Sequence, residues 1–119
     1  MTNRSARIRL EDLKQAMARI RQYTTGLTYA EFIKDEKTMD AVLRNLEVIG
    51  EAARNIPEEL RDRYPDVEWH RMIGLRNIIS HEYFGVDMQI IWEVATRNVP
   101  ETEPLVADML DRLSHEPNE

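Results

Sequence analysis

The sequence contains no cysteine, which excludes disulfides and thiolate metal sites and fits a reducing compartment. No apolar run approaches the ~20 residues needed to span a bilayer. The first residues, MTNRSARIRLEDL, lack the apolar stretch of a secretory signal. A cytoplasmic protein with no membrane partner is the expectation. There is no glycine-rich phosphate loop, no G-x-S-x-G turn and no Cys–His nucleophile pair. His81-Glu82 is followed by Gly85 where a zincin needs its second histidine, and His70, His81 and His115 form no metal-ligand pattern. Neither metal nor cofactor is expected.

Positive charge is also in short supply. The formal net charge of −6 argues against coating nucleic acid by bulk electrostatics. It is unevenly spread, however: Arg4, Arg7, Arg9, Lys14, Arg19 and Arg21 crowd the first helical segment, while the last twenty residues carry six acids against Arg112. A basic face on that first segment could meet phosphate, or it could be an ordinary solvated surface.

With 119 residues, 42% hydrophobic and 32% charged, the chain suits one helical domain with a modest core. Leu10, Leu13, Met17 and Ile20 alternate at three and four, predicting a helix over 5–24 that Gly26 ends. Thr28 and Glu31 form a capping box opening a short turn over 29–34. Met39, Val42, Leu43, Leu46, Ile49, Ala52, Ala53 and Ile56 predict a second long helix over 38–55. Gly50 lowers helix propensity there by about 1 kcal/mol, which points to a close helix crossing. A proline-led turn follows over 57–63. A third helix starts at Trp69 and is stopped by Gly85, Asp87 caps a fourth over 88–99 ending at Pro100, and a turn over 101–104 leads to a last helix. No segment alternates like a strand, so the fold is all-α: an antiparallel bundle of four to five main helices forming one domain over 1–113, with a frayed tail over 114–119.

The third helix is the informative one. Trp69, Met72, Ile73, Leu75, Ile79, Tyr83 and Phe84 fall on one apolar arc. Arg76 points into that arc with Ser80 one turn beyond, while His70, Asn77 and His81 line the adjoining edge. A buried arginine needs partners. It can be structural, paired with Glu47 or Glu51 of the second helix, or it can hold a phosphate. His81 can be a favourable partner for the helix C-terminus or a proton carrier, histidine being the side chain that titrates nearest neutrality. Asn77 could orient the ring or the substrate. Arg76 and His81 stand about 7.5 Å apart along the axis and about 140° around it. A compact site is therefore easier if two copies of the helix face each other across a two-fold axis. RNA brings its own nucleophile, the 2′-hydroxyl, so a metal-free ribonuclease needs little beyond this set.

Arg76-Asn77-Ile78-Ile79-Ser80-His81-Glu82-Tyr83 resembles the R-x4-H-x-Y motif of the HEPN superfamily, and of the HepT-like ribonuclease toxins in particular. AVLRNLEVIGEAARNIP (41–57) and YPDVEWHRMIGLRN (64–77) resemble the second helix and the lead-in to the motif helix of the same family. The resemblance implies an all-helical homodimer acting as a metal-independent endoribonuclease on RNA, with transfer RNA a candidate substrate and Arg76 and His81 the catalytic pair. It further implies a nucleotidyltransferase antitoxin that silences the toxin by transferring AMP to Tyr83. The alternative is a non-catalytic module of the same fold that binds nucleotide or the partner enzyme.

Overall fold

Helical periodicity carries through to the observed architecture. The computed structural model describes residues 3–82 and 85–116, and these contain helices and no strand. In order, the helices are α1 (Asn3–Thr24), α2 (Tyr29–Phe32), α3 (Glu36–Arg54), α4 (Glu58–Asp62), α5 (Trp69–His81), α6 (Met88–Glu93), a π-helical segment (Val94–Asn98) and α7 (Val99–Ser114). α3 lies between α1 and α5, and α7 covers the other flank of α1. The α1 stripe of Leu10, Leu13, Met17 and Ile20 faces Val42, Leu46, Ile49 and Ala53 of α3, every one of them buried. From α7 the core takes Val106, Met109 and Leu113.

Local chemistry sets most of the boundaries. Gly26 adopts φ 81° and turns the chain after α1, a left-handed conformation that glycine enters freely. The Thr28–Glu31 capping box is fully formed: the Glu31 backbone N–H donates to Thr28 Oγ1 at 3.2 Å, and the Thr28 N–H donates to Glu31 Oε1 at 2.9 Å. Asp87 accepts from the Gln89 N–H at 2.9 Å and opens α6.

α3 starts earlier than the periodicity predicts. Asp35 is its cap, accepting from the Thr38 N–H at 3.1 Å and from Thr38 Oγ1 at 2.7 Å. Those two bonds hold the Asp35 carboxyl below its ordinary pKa.

Three sequence expectations are corrected. α5 ends at His81, with Glu82 as its C-cap, and so stops short of Gly85. Among the described residues only Gly26 has positive φ, so Gly85 does not supply the left-handed cap expected of it. Nor does Pro100 end the fourth helix. Backbone angles stay right-handed through Val94, Asn98 and Val99, so α6, the π segment and α7 form one continuous rod. The supposed turn over 101–104 is helical, with Pro104 inside α7. In the π segment the Val99 N–H reaches back to the Val94 carbonyl. A turn widened by one residue separates the Pro100 ring from the carbonyl it would strike in a regular α-helix. The buried row Ala95, Val99, Val106, Met109 and Leu113 then holds the rod against the core. α7 ends at Ser114.

Candidate active site

The crossing of α3 and α5 at Gly50 is what positions Arg76. A methyl group on Gly50 would overlap Cβ of Arg76 and lie 2.8 Å from the Met72 carbonyl oxygen. No larger residue leaves room for α5 at this distance. The aliphatic stem of Arg76 lies across the glycine, and its guanidinium reaches the edge of the crossing. An arginine can thus occupy an otherwise apolar helix face without having its charge sealed in the core.

At that edge Arg76 lines a cleft of about 350 Å³ together with Arg9 and Asp12 of α1 and Glu47, Val48, Glu51 and Ala52 of α3. Arg76 Nη2 stands 3.5 Å from Glu51 Oε2, and Nη1 donates to Oδ1 of its neighbour Asn77 at 3.2 Å. Glu51 is the better-engaged partner: its Oε1 accepts from Arg54 at 3.1 Å and from Asn55 at 3.3 Å. Its Oε2 is out of solvent and makes no hydrogen bond, so its link to Arg76 is purely electrostatic. The Arg76 side chain remains 28% exposed. A 3.5 Å pair without a hydrogen bond is a loose tether, whereas a phosphate gripped by a guanidinium forms charge-assisted hydrogen bonds. Ser80 donates to Glu47 Oε2 at 3.1 Å, tying the next turn of α5 to α3.

His81 is exposed at the end of α5, and its Nδ1 is 2.9 Å from the Asn77 carbonyl oxygen. A carbonyl can only accept, so this bond requires the proton on Nδ1 and leaves Nε2 as the free ring nitrogen. Asn77 therefore touches both candidates, its side-chain oxygen meeting Arg76 and its backbone oxygen meeting His81. His81 does not line the Arg76 cleft. One chain brings Arg76, Asn77, Ser80, Glu47 and Glu51 together but leaves His81 around the helix from them. His70, expected on the same polar strip, is likewise exposed. Tyr83 and Phe84 lie outside the described residues. The residue that sequence reasoning missed is Arg9, whose only signal was membership of a generally basic segment.

A second feature lies on the other side of α5. Leu75, Ile78, Ile90 and Val94 line an apolar groove of about 410 Å³, with Met17, Leu46 and Ile49 also contributing. Ile78 and Ile90 are 50% and 55% exposed, and α5 buries fully only Trp69 and Ile79. Among the described residues no helix is long and apolar enough to cross a membrane.

An all-helical fold that presents an arginine and a histidine on one exposed helix suits a protein acting on phosphate. The sequence matches the family described as Ribonuclease HepT-like over residues 13–109, and the chain belongs to that family. It is 41% identical to "Putative RNase MJ0127" of Methanocaldococcus jannaschii over 113 residues, covering 92% of this chain and 93% of the relative. It is 37% identical to "Probable ribonuclease HepT" of Thermococcus cleftensis over 97 residues, 82% of this chain and 88% of the relative. No solved structure matches.

Proposed function

We propose that this chain is the toxin of a toxin–antitoxin pair, a cytoplasmic endoribonuclease that cleaves RNA, with transfer RNA a candidate, without a metal. Arg76 holds the scissile phosphate and stabilises the extra charge of its transition state. The RNA 2′-oxygen attacks the phosphorus, the 2′-hydroxyl proton passes to Nε2 of one His81, and the bond to the 5′-oxygen breaks. That oxygen takes a proton from a second, protonated His81. The products are a 2′,3′-cyclic phosphate and a 5′-hydroxyl, so the first step is a transfer within the RNA rather than hydrolysis. Asn77 orients the imidazole. Glu47, Ser80 and Glu51 hold α5 and Arg76 in register.

The second histidine comes from a second copy of the chain. This part of the reading is supported by the separation of His81 from the Arg76 cleft and by the half-exposed Ile78 and Ile90 beside α5. Apolar surface of this kind commonly marks an interface. Silencing is by a nucleotidyltransferase antitoxin: the Tyr83 hydroxyl attacks the α-phosphorus of ATP, AMP is transferred and pyrophosphate leaves. The added phosphodiester, two residues from His81, puts negative charge beside the site and blocks it.

The observation that carries the reading is that Arg76 keeps part of its guanidinium side chain exposed in the cleft, with one long ion pair as its only link to an acid among the described residues. Total RNA incubated with the purified protein and a chelator should be cleaved to 2′,3′-cyclic ends. Arg76→Ala and His81→Ala, folded by circular dichroism, should each lose cleavage, His81→Ala by about 10²–10⁴-fold. Cleavage that persists in both variants overturns the site. Co-expression with the neighbouring nucleotidyltransferase should add AMP mass to Tyr83, and addition at another residue refutes that part.

A further inference from the structure

Arg9 projects from α1 into the cleft that Arg76 enters from α5, with α3 as the floor between them. It is half-buried, and among the described residues it makes no hydrogen bond and no ion pair. Partial burial weakens hydration of a guanidinium, and such groups ordinarily recover the loss by pairing. The obvious intrahelical partner, Asp12 at i+3, lines the same cleft and is not engaged. Glu47 is taken by Ser80, and Glu51 by Arg54, Asn55 and Arg76. The two arginines on opposite walls are thus held differently. Arg76 is loosely tethered, and Arg9 has no tether among the described residues.

We infer that Arg9 is a substrate-binding residue of the same reaction, gripping the phosphate next to the one held by Arg76. This inference rests on the ribonuclease reading above. A cleft near the small end of the range for ligand sites admits a strand of backbone rather than a folded RNA element. A strand laid along α3 at Val48 and Ala52 would meet Arg76 on one side and Arg9 on the other. The contact carries no base information, so it sets register and affinity rather than sequence preference.

The test measures binding of a short single-stranded RNA to His81→Ala protein over a range of salt, alone and combined with Arg9→Ala, Arg9→Lys or Arg19→Ala. Arg19 is exposed on the same helix, outside the cleft. Loss of one phosphate contact should weaken binding on the order of tenfold and lower the slope of log affinity against log salt by about 0.7. Arg9→Lys should keep the slope, and Arg19→Ala should change neither quantity. In the active protein, Arg9→Ala should raise KM and leave kcat within about twofold, as expected for a lost uniform binding contact. An Arg9→Ala protein with unchanged affinity and slope overturns the inference and leaves the ribonuclease intact. An Arg19→Ala effect equal to that of Arg9→Ala also overturns it, because bulk charge on α1 would then be the cause. If the protein neither binds nor cleaves RNA, the ribonuclease reading fails and takes this contact with it.

Discussion

Replacing Gly50 with alanine sets two known magnitudes against each other. In an open helix interior the change stabilises by about 0.5–1 kcal/mol, because glycine has more freedom to lose on folding. At Gly50 the new methyl would overlap Arg76 Cβ, lie 2.9 Å from Arg76 Cγ and lie 2.8 Å from the Met72 carbonyl oxygen. Carbon atoms normally rest about 3.5–4.0 Å apart. Neither Arg76 Cβ nor the Met72 carbonyl can rotate away, since each is fixed to the backbone of α5. The whole helix must shift outward by roughly an ångström to restore ordinary contact. Overpacking of this kind costs about 1–3 kcal/mol, and the rigid obstacle places Gly50→Ala in the upper half of that range. After subtraction of the propensity gain, a net loss of about 1–2 kcal/mol is expected. Gly74 is the internal control, also helical but with nothing within 4 Å of an added methyl. Gly74→Ala should be neutral or stabilising by up to about 1 kcal/mol. Urea unfolding of the two variants beside the parent gives the sign directly. A Gly50→Ala protein as stable as Gly74→Ala would refute the close crossing and the account of how Arg76 is positioned.

Three further outcomes follow from the same structure. Phe32 is fully buried with its ring 5.0 Å from that of Trp92, so Phe32→Ala should cost about 3–5 kcal/mol in a thermal or urea melt. Ile78 is 50% exposed, so on the proposed two-copy site the parent should be a dimer in light scattering and Ile78→Glu a folded monomer without cleavage; a monomeric parent refutes the two-copy site, and a dimer that survives the change places the seam elsewhere. The Asp35 cap has a pKa lowered from 3.8, so its stabilisation is fully present above that value and disappears as pH falls through the lower, folded value. Asp35→Asn keeps an acceptor that does not titrate, so the parent's margin over it should shrink only in acid, and a margin that stays constant or widens as pH falls would contradict the assignment.

Much of this was legible in the residues, and the failures have local causes. The α1 stripe, the Thr28–Glu31 box, the Asp87 cap and the Gly50 crossing each depend on residues within a turn or two, or on a single side-chain volume. Asp35-x-x-Thr38 is itself a capping pattern, but it stands outside the apolar period, which begins only at Met39. A local rule makes Pro100 a break and 101–104 a turn. The continuous buried face from Ala95 to Leu113 and the widened turn at Val94–Asn98 override it. Gly85 was read as a stop, but α5 had already ended at His81. Arg76, Asn77, Ser80, Glu47 and Glu51 were all named from spacing, since α3 and α5 are adjacent and cross at a glycine. Arg9 could not be found that way, because its place depends on where α1 lies against α3, a relation between segments some forty residues apart.

The acidic net charge and the phosphate chemistry are reconciled by where the charges sit. Arg21 is paired with Glu103, Arg97 with Glu93 and Glu101, and Arg112 with Asp108, with each arginine side chain at least half exposed. Pairs of that kind present little net field to a polyanion. Among the described residues Arg9 is unpaired and Arg76 weakly paired, and both face a cleft built by α1, α3 and α5, whose acids Glu47 and Glu51 are already engaged and which Asp12 also lines. If those two cleft arginines are the groups that grip RNA, the strand is held locally and bound weakly elsewhere. Its affinity should therefore show a shallow salt dependence of one or two contacts, with a slope of about 0.7 for each on a single strand. A much steeper slope would mean that the rest of α1, not the cleft, carries the RNA.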